Sequence, residues 1–234
     1  MKMPMKTIGI LGGMGPEATF ELYGKIIRYT PSEKDQDHIP CVIFSNTQVP
    51  DRTESILKGD AKAVKVLRDS AKVLEEAGAD FIVIPCNTAH HWIKEIQNAV
   101  GIPVVDMIEE TAKYLKGRRC KRIGLLATTG TIRTCIYEKV LEAYGIEVIK
   151  PANQENIMGV IKKVKAGDTS ERQREIIEKE MASLKEKGIA TFVLGCTELP
   201  LVFRKGKRKE IVDPMDVLAA TAIGLAGKKP KNIF

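Results

Sequence analysis

The sequence has few of the residues on which disulfide-rich and metal-binding proteins depend. Its 234 residues include three histidines and five cysteines, and no two cysteines have the CxxC spacing. An odd number of cysteines without that spacing argues against a disulfide framework and against a structural zinc site. We therefore expect reduced thiols and no bound metal.

Long apolar runs are also missing. None approaches the ~18–20 residues that a membrane-spanning helix needs. The opening MKMPMKTIGILGG has neither the long apolar stretch nor the cleavage site of a signal peptide. We therefore expect a cytoplasmic protein without a membrane partner. The formal charge of +7 includes a basic cluster, Arg204–Glu210, without interleaved aromatic residues. We interpret this cluster as a solvated turn and expect no nucleic-acid partner.

The sequence does contain a regular alternation of short apolar runs with helical patterns. The runs are continuously apolar, which is typical of strands covered on both faces. The predicted strands are Thr7–Leu11, Cys41–Asn46, Phe81–Pro85, Val104–Asp106, Arg122–Ala127, Glu147–Lys150, Thr191–Leu194 and Ile211–Asp213. The predicted helices are Pro16–Arg28, Asp60–Ala77, Ile108–Lys116, Arg133–Ala143, Gln154–Lys165 and Ser170–Lys187. Strands that alternate with helices predict an α/β fold with parallel sheets.

The two halves of the chain resemble each other in three places. The matching pairs are IGILGGMGPEAT from Ile8 with IGLLATTGTIRT from Ile123, GADFIVIPCNT from Gly78 with GIATFVLGCTE from Gly188, and VVDM from Val104 with IVDPM from Ile211. Matches in the same order indicate a duplication that produced two pseudo-symmetric lobes, each a mostly parallel sheet flanked by helices. Ligands of such sheets bind outside the carboxyl ends of the strands, so we expect an active-site cleft between the lobes.

This alignment places Cys86 on Cys196, each at the end of an apolar strand. A cysteine in that place can be a packing residue, but two at equivalent positions indicate a shared chemical role. Inverting the α-carbon of an amino acid requires an acid/base group on each face of that carbon. Thiols suit this task, because their ordinary pKa of about 8.5 lies near working pH and a helix N-terminus lowers it. The N–H groups of such a helix start can also bind a carboxylate.

Several motifs resemble the aspartate racemase branch of the aspartate/glutamate racemase superfamily. They are GGMGPEAT at Gly12–Thr19, PDRT at Pro50–Thr53, PCNTAH at Pro85–His90, LLATTGT at Leu125–Thr131, VKAG at Val164–Gly167, GCTEL at Gly195–Leu199 and DPMD at Asp213–Asp216. The resemblance covers essentially the whole chain. It implies a homodimeric, two-lobed α/β enzyme that racemises an amino acid without pyridoxal phosphate, metal or other cofactor. Cys86 and Cys196 would be the two acid/base groups.

The resemblance also implies how the chain divides and which residues bind the substrate. Residues 1–99 with 210–234 would form the lobe that carries Cys86, and residues 100–209 the lobe that carries Cys196. Arg52 and Lys165 correspond to residues that grip the distal carboxylate of aspartate, for which a planar guanidinium and a point charge are suited. The remaining candidates for the substrate-binding wall are Met14, Asn87, Thr88, Ala89, Thr129 and Thr197.

Other functions fit parts of the sequence. The segment Gly13–Ala18 matches a dinucleotide fingerprint, but the second predicted strand ends in Asn46-Thr47-Gln48 and lacks the ribose-binding carboxylate. Cys86, His90 and His91 are too few and too close in sequence for a three-ligand metal site, and both histidines are expected to pack or to hydrogen-bond near the helix start. A non-catalytic binding protein on this scaffold is an alternative that the presence of both thiols argues against.

Within the superfamily the substrate stays open. Glutamate racemases usually carry an Asp-Ser pair after the first strand, where this chain has Gly12-Gly13. Some relatives lack one cysteine and act as decarboxylases, whereas both cysteines are present here. Broad-specificity amino-acid racemases share much of the pattern and are the main alternative to an aspartate racemase.

Overall fold

The computed structural model describes residues 5–203 and 208–231, so the first four residues of the basic cluster Arg204–Glu210, predicted as a turn, lie outside the described residues. In these ranges the strands are β1 (Ile8–Gly12), β2 (Cys41–Ser45), β3 (Phe81–Val83), β4 (Arg122–Ala127), β5 (Glu147–Ile149), β6 (Phe192–Gly195) and β7 (Ile211–Val212). The α-helices are α1 (Pro16–Tyr29), α2 (Arg52–Lys58), α3 (Lys62–Glu76), α4 (Ile93–Gln97), α5 (Met107–Gly117), α6 (Thr129–Thr134), α7 (Ile136–Ala143), α8 (Gln154–Lys165), α9 (Glu171–Glu186) and α10 (Pro214–Leu225).

The strands form two parallel sheets with the orders β2-β1-β3 and β5-β4-β6-β7. Every residue of β1 and of β6 is buried. The apolar side chains on the two faces of the sheets pack into four core clusters beneath the flanking helices. Parallel strands covered on both faces read as continuous apolar runs, as the sequence does here. The prediction of an α/β fold with two parallel sheets is confirmed.

The two sheets repeat the same arrangement. The central strands β1 and β4 carry the first pair of matching segments, and β3 and β6 carry the second. In the first sheet Val104 forms an isolated parallel bridge with Ile82, and in the second sheet β7 pairs with β6. The third pair of matching segments therefore occupies equivalent positions, and the internal repeat seen in the sequence is a structural repeat.

In each half, the helix that follows the last strand position packs in the core of the other half. After the Val104 bridge, α5 packs with β4 residues in the second core, where Ile108 and Leu115 lie beside Ile123. After β7, α10 packs with β1 residues in the first core, and it also contacts α1 and α5. The division into 1–99 with 210–234 and 100–209 stays a prediction. These contacts favour crossovers at Asp106 and Asp213, the residues that cap α5 and α10.

The structure differs from the predicted elements at several points. The predicted helix Arg133–Ala143 starts earlier and is split into α6 and α7 at Cys135, whose φ of 51° is left-handed. The predicted strand Val104–Asp106 is reduced to a single bridge. The segment after Cys86 is a 3₁₀-helix, Thr88–Trp92, followed by α4, instead of one α-helix. Among the described residues, no helix combines the length and apolarity needed to span a membrane.

Candidate active site

A cavity lies where the carboxyl ends of the two sheets meet. It encloses about 300 Å³ of space, including its opening to solvent. The residues that line it are Met14, Asp51, Arg52, Thr53, Cys86, Asn87, Thr88, Thr128, Lys165, Cys196, Thr197 and Glu198. Both cysteines from the repeat therefore face the same small volume, as the predicted cleft requires.

The loop after β1 reaches this cavity because two glycines let the chain pass close to its neighbours. Gly13 has a φ of 93°, and a Cβ there would come within 2.2 Å of the Asn46 carbonyl group. At Gly12 a Cβ would meet the Thr19 side chain at 2.3 Å. The Gly13 N–H instead donates to Thr19 Oγ1 at 2.9 Å. This tight turn presents Met14 to the cavity wall, and any side chain at Gly13 would displace it.

The Cys86 segment is held from behind by a histidine. The Met107 N–H donates to His90 Nε2 at 3.1 Å, so the ring proton is on Nδ1 and is donated to the Cys86 carbonyl at 2.8 Å. Cys86 is 6% exposed, and no side chain in the described ranges hydrogen-bonds its Sγ. The prediction that His90 packs or hydrogen-bonds in this segment is confirmed. His91 lies edge-on to the Trp92 ring, with centroids 5.0 Å apart.

The Cys196 thiol has a close acidic partner. Its Sγ donates to Glu198 Oε2 at 2.9 Å, and Thr197 Oγ1 donates to the same oxygen at 3.1 Å. Burial and then the Glu198 carboxylate raise the pKa of Cys196 well above the ordinary thiol value, although Lys165 acts in the opposite direction. We expected a lower pKa from the N-terminus of a following helix. That expectation is wrong for Cys196, because the next segment is a 3₁₀-helix starting at Leu199 and the nearest charge is negative.

The two basic residues of the cavity are held differently. The Arg52 guanidinium donates to the carbonyl groups of Val49 and Pro50 at 3.2 Å each, and to that of Met14 at 3.4 Å. These contacts orient the side chain without using all five of its N–H donors. Lys165, at the end of α8, has a side chain that is 39% exposed, and its Nζ lies 3.8 Å from Glu198 Oε1. Arg52 is thus fixed by backbone atoms, whereas Lys165 is paired with an acid.

An asparagine and a tyrosine join the two halves of the cavity. Tyr137 is fully buried, and its hydroxyl donates to Asn87 Oδ1 at 2.5 Å. With that oxygen engaged, Asn87 Nδ2 is buried without a hydrogen-bond partner among the described residues. A buried unpaired donor costs about 1–3 kcal/mol unless a ligand satisfies it. Since Asn87 lines the cavity, its amide group is a candidate donor to a bound carboxylate.

Three threonine hydroxyls form a second connection across the cleft. Thr88 Oγ1 lies 2.9 Å from Thr128 Oγ1 and 3.1 Å from Thr131 Oγ1. Thr128 also caps α6 by accepting the Thr131 N–H at 3.1 Å. Next to them, a Cβ on Gly130 would meet Thr53 Oγ1 at 2.8 Å and Thr88 Cγ2 at 3.1 Å. The lobes therefore approach each other more closely here than a larger residue would permit.

The structure brings together eight of the ten residues singled out in the sequence. They are Met14, Arg52, Cys86, Asn87, Thr88, Lys165, Cys196 and Thr197. Ala89 is not among the lining residues, because it packs into the core beneath the 3₁₀-helix. Thr129 is also absent, and its N–H faces Met158 Sδ at 3.2 Å while its neighbour Thr128 lines the cavity. Substrate-binding roles for Ala89 and Thr129 stay predictions without support from the cavity.

Four lining residues were not found from the sequence: Asp51, Thr53, Thr128 and Glu198. Each lies inside one of the motifs that carry the family resemblance. Thr128 aligns with Gly13 in the repeat, and Glu198 is the third residue of the CTE sequence that starts at Cys196. The repeat could have directed attention to Glu198, because the equivalent residue after Cys86 is Thr88. The repeat thus has a neutral hydroxyl at this position after Cys86 and an ionisable carboxyl group after Cys196.

The alternative functions find little support in this geometry. Among the described residues, no group of three or more His, Cys, Asp or Glu side chains could hold a metal ion. Both ring nitrogens of His90 are engaged with backbone groups. At the end of β2, Asn46 stands where a nucleotide-binding fold would place an acidic residue, and its Nδ2 donates to Ser70 Oγ at 3.0 Å.

Comparison with known proteins identifies the family of the chain. The Asp/Glu/Hydantoin racemase family model matches residues 11–222. A broad specificity amino-acid racemase of Bacillus subtilis (strain 168) is 38% identical over 146 residues, which are 61% of this chain and 63% of that protein. The aligned part is thus less than two thirds of that curated relative.

Two solved structures cover nearly the whole chain. The Picrophilus torridus aspartate racemase has a TM-score of 0.86 and 34% identity, covering 97% of this chain and 96% of that chain. An aspartate racemase homologue from Pyrococcus horikoshii has a TM-score of 0.77 and 28% identity, covering 96% and 100%. The family model covers most of the chain and the solved structures share its fold, so the chain belongs to the Asp/Glu/Hydantoin racemase family.

Proposed function

We propose that this protein is a cofactor-independent amino-acid racemase that acts on aspartate, with Cys86 and Cys196 as its two acid/base groups. The observation that carries the proposal is that two buried thiols, one from each half of the repeat, line one small cavity. A cavity between two sheets can hold the α-carbon of a substrate with one thiol on each face. One thiolate then removes the α-proton while the opposite thiol returns a proton to the other face.

The cavity also offers groups that can stabilise the substrate during the reaction. The negative charge that develops at the α-carbon delocalises into the α-carboxylate, so preorganised donors there lower the barrier. Asn87 Nδ2 is buried and unpartnered within the described residues, which makes it our candidate for this contact. The Thr197 hydroxyl, which lines the same cavity, is the corresponding polar group beside Cys196.

Arg52 and Lys165 favour a substrate with a second carboxylate. Arg52 is oriented toward the cavity by three carbonyl groups and retains free donor capacity. A guanidinium can bind a carboxylate through two hydrogen bonds, which gives both affinity and orientation. One similar structure is that of an aspartate racemase, in agreement with this choice.

A broad-specificity amino-acid racemase is the second candidate. Two acids, Asp51 and Glu198, line the same cavity, and Glu198 lies 3.8 Å from Lys165. This pairing leaves less positive charge for a distal carboxylate than two free cations would provide. The similarity to a broad specificity racemase of Bacillus subtilis favours the same alternative.

The deciding experiment is proton NMR of L-aspartate in D2O with the wild-type protein, Cys86→Ser and Cys196→Ser. We expect the wild type to remove the α-proton signal and to produce D-aspartate, identified by chiral chromatography. Each variant should lose racemisation by at least about a hundredfold, the usual contribution of an acid/base group. A panel of amino acids in the same assay separates strict from broad specificity. Failure of the wild type to exchange any α-proton would contradict a racemase.

We also propose that the protein works without pyridoxal phosphate or metal, in the cytoplasm and as a homodimer, as the sequence resemblance implies. Activity should then persist after dialysis against EDTA and after treatment with hydroxylamine, which traps pyridoxal aldehydes. Light scattering on the eluting peak of a size-exclusion column should give twice the chain mass of 25.9 kDa. A chelator-sensitive activity or a monomeric mass would contradict these proposals.

A further inference from the structure

Cys196 and Glu198 form a hydrogen bond in the cavity, and the proposed function gives Glu198 no role. Sγ and Oε2 are 2.9 Å apart, and the two residues are 5% and 8% exposed. The second carboxylate oxygen, Oε1, lies 3.8 Å from Lys165 Nζ. The carboxylate is thus held between the thiol and an ammonium group, with the Thr197 hydroxyl as a further donor.

This arrangement creates a problem for a thiol that must act as a base. A buried thiolate is poorly solvated, and a carboxylate at hydrogen-bonding distance adds a like charge. Both effects raise the pKa of Cys196. Losing its proton to solvent would therefore leave two adjacent negative charges in a buried place. Transfer of the proton to the carboxylate itself avoids this, because the pair then keeps a single negative charge.

We propose that Glu198 is the proton partner of Cys196, holding the thiol proton whenever Cys196 acts as the base. This inference rests on the proposed function and adds one residue to it. In the first step the Sγ–H proton moves to Glu198 Oε2, which leaves a thiolate and a neutral carboxyl group. The thiolate then removes the α-proton of the substrate as the Cys86 thiol returns a proton to the opposite face. The Cys196–Glu198 pair finishes with both protons and Cys86 finishes as a thiolate, so protons and charges balance.

The reverse turnover uses the same groups. Cys86 accepts the α-proton, the Cys196 thiol supplies one to the opposite face, and the Glu198 proton returns to Sγ. Lys165 lies beside the carboxylate that remains, so it compensates the returning charge. Among the described residues, Tyr137 from α7 also interacts electrostatically with Cys196, and the other titratable groups that line the same cavity are Asp51, Arg52 and Cys86 from the first lobe.

The test is Glu198→Gln, which keeps the size and polarity of the side chain but cannot take up a proton. We expect kcat with aspartate to fall by about a hundredfold or more, with KM changed less than about threefold. The second readout is the pH dependence of iodoacetamide alkylation at Cys196, followed by mass spectrometry of its peptide. Loss of the negative charge should move the alkylation midpoint down by at least about one pH unit.

The two readouts are expected to move in opposite senses. The variant should have a more acidic Cys196 thiol and yet be a poorer catalyst, because its thiol has lost the acceptor for its proton. If Glu198 acted only through its charge, the more acidic thiol would preserve or improve kcat. If it only supported the fold, neither the midpoint nor kcat would change at an unchanged melting temperature. Either result would overturn the inference.

Matched controls come from the same chain. Glu180→Gln changes another buried glutamate of the second lobe, which accepts from Asn156 Nδ2 at 2.7 Å and does not line the cavity. It should alter neither readout. Glu198→Asp retains a carboxylate and should recover part of kcat. Cys41 is an internal reference for alkylation, because burial raises its pKa to about 11 and it does not line the cavity that contains Glu198.

The alkylation arm needs no substrate, so it separates this inference from the proposed function. A shifted midpoint in Glu198→Gln, together with a wild type that exchanges no α-proton, would overturn the racemase proposal and would keep the Cys196–Glu198 proton pair. An active wild type with an unshifted midpoint would overturn the proton pair and leave the racemase proposal intact.

Discussion

The two halves of this protein have nearly the same architecture but surround their cysteines with different chemistry. Cys86 and Cys196 end equivalent strands and face one cavity. Behind Cys86, His90 holds the backbone carbonyl group, and Thr88 turns its hydroxyl to Thr128 across the cleft. Beside Cys196, the equivalent position is Glu198, which accepts a hydrogen bond from the thiol.

The difference shows how a duplicated scaffold can support a reaction that is not symmetric at each instant. A two-base racemase needs one thiol and one thiolate at a time. Two identical surroundings would give both thiols the same proton affinity. One of the differences between the halves, Thr88 against Glu198, gives the Cys196 thiol an acidic hydrogen-bond partner that the Cys86 thiol lacks among the described residues. The following predictions test how far this division of labour between the halves extends.

The largest effect is expected at the two cations. Arg52→Ala should lower kcat/KM for aspartate by roughly a hundredfold, because it removes an oriented partner of the distal carboxylate. Lys165→Ala should lower it only about tenfold, because Lys165 is more exposed and already paired with Glu198. Both losses should be several-fold at most with alanine or serine. Steady-state kinetics on the three substrates checks this, and equal losses across them would remove both residues from side-chain recognition.

The next effect concerns α10, the helix that follows the second sheet but packs in the core of the first. Lys25 in α1 pairs with Asp213 and Asp216, at the start of α10, and Lys25 Nζ lies 2.9 Å from Asp213 Oδ2. Lys25→Met leaves buried carboxylates uncompensated and should cost about 3 kcal/mol in the free energy of unfolding by urea titration. Lys113→Met, which removes an exposed pair with Glu110, should cost less than about 0.5 kcal/mol.

This buried pair also predicts a pH dependence. Burial alone would lower the pKa of Lys25, but the carboxylates of Asp213 and Asp216 outweigh it and raise the pKa above the ordinary 10.5. The stabilising charge is therefore fully present below pH 10.5 and is lost as the pH rises through the higher folded-state value. Above neutral pH the difference between wild type and Lys25→Met should be constant and should shrink only in strongly alkaline solution. A difference that vanished by pH 9 would contradict this assignment.

A smaller effect is expected where the halves touch. Gly130→Ala places a Cβ 2.8 Å from Thr53 Oγ1 and 3.1 Å from Thr53 Cα, so the lobes must separate slightly. We expect a loss of about 1–2 kcal/mol in the free energy of unfolding. Gly159→Ala in α8 meets no atom within 4 Å and should stabilise the protein by about 0.5–1 kcal/mol. Equal changes in the free energy of unfolding for the two substitutions would mean that the residues around Gly130 move apart at no cost, which would contradict a tight contact between the lobes there.

The smallest effect tests the hydrogen bond between the halves. Tyr137→Phe removes the donor to Asn87 Oδ1, so the Asn87 amide is no longer oriented with Nδ2 as the unpaired donor. KM for aspartate should rise by five- to tenfold, about 1 kcal/mol, with kcat changed little. Tyr144→Phe removes a tyrosine hydroxyl that bonds Glu109 outside the cavity and should leave both constants unchanged. A fall in kcat alone would place Tyr137 in the chemical step instead of in binding.

Many of the strands and helices could be predicted from local sequence patterns. Strand β4 and helix α8 have the bounds that were predicted, because their apolar residues follow a strand run and a helical period. Helix α10 was missed because its sequence, PMDVLAATAIGL, is apolar on nearly every side and has no amphipathic period. Such an apolar helix is possible here because α10 packs against both α1 and α5, which cover its apolar side chains. The split at Cys135 was missed because its left-handed backbone carries none of the usual glycine signal.

The sequence by itself determined the two-lobed α/β plan, the internal repeat and the equivalence of Cys86 with Cys196, since each follows from local periodicity and from matching segments. The tertiary structure alone decided that Glu198 meets the Cys196 thiol, that Tyr137 orients Asn87, and that Thr128 lines the cavity where Thr129 was expected. These contacts depend on side-chain direction, which a sequence pattern does not give, and the hydrogen bond between Tyr137 and Asn87 also joins residues that are 50 positions apart.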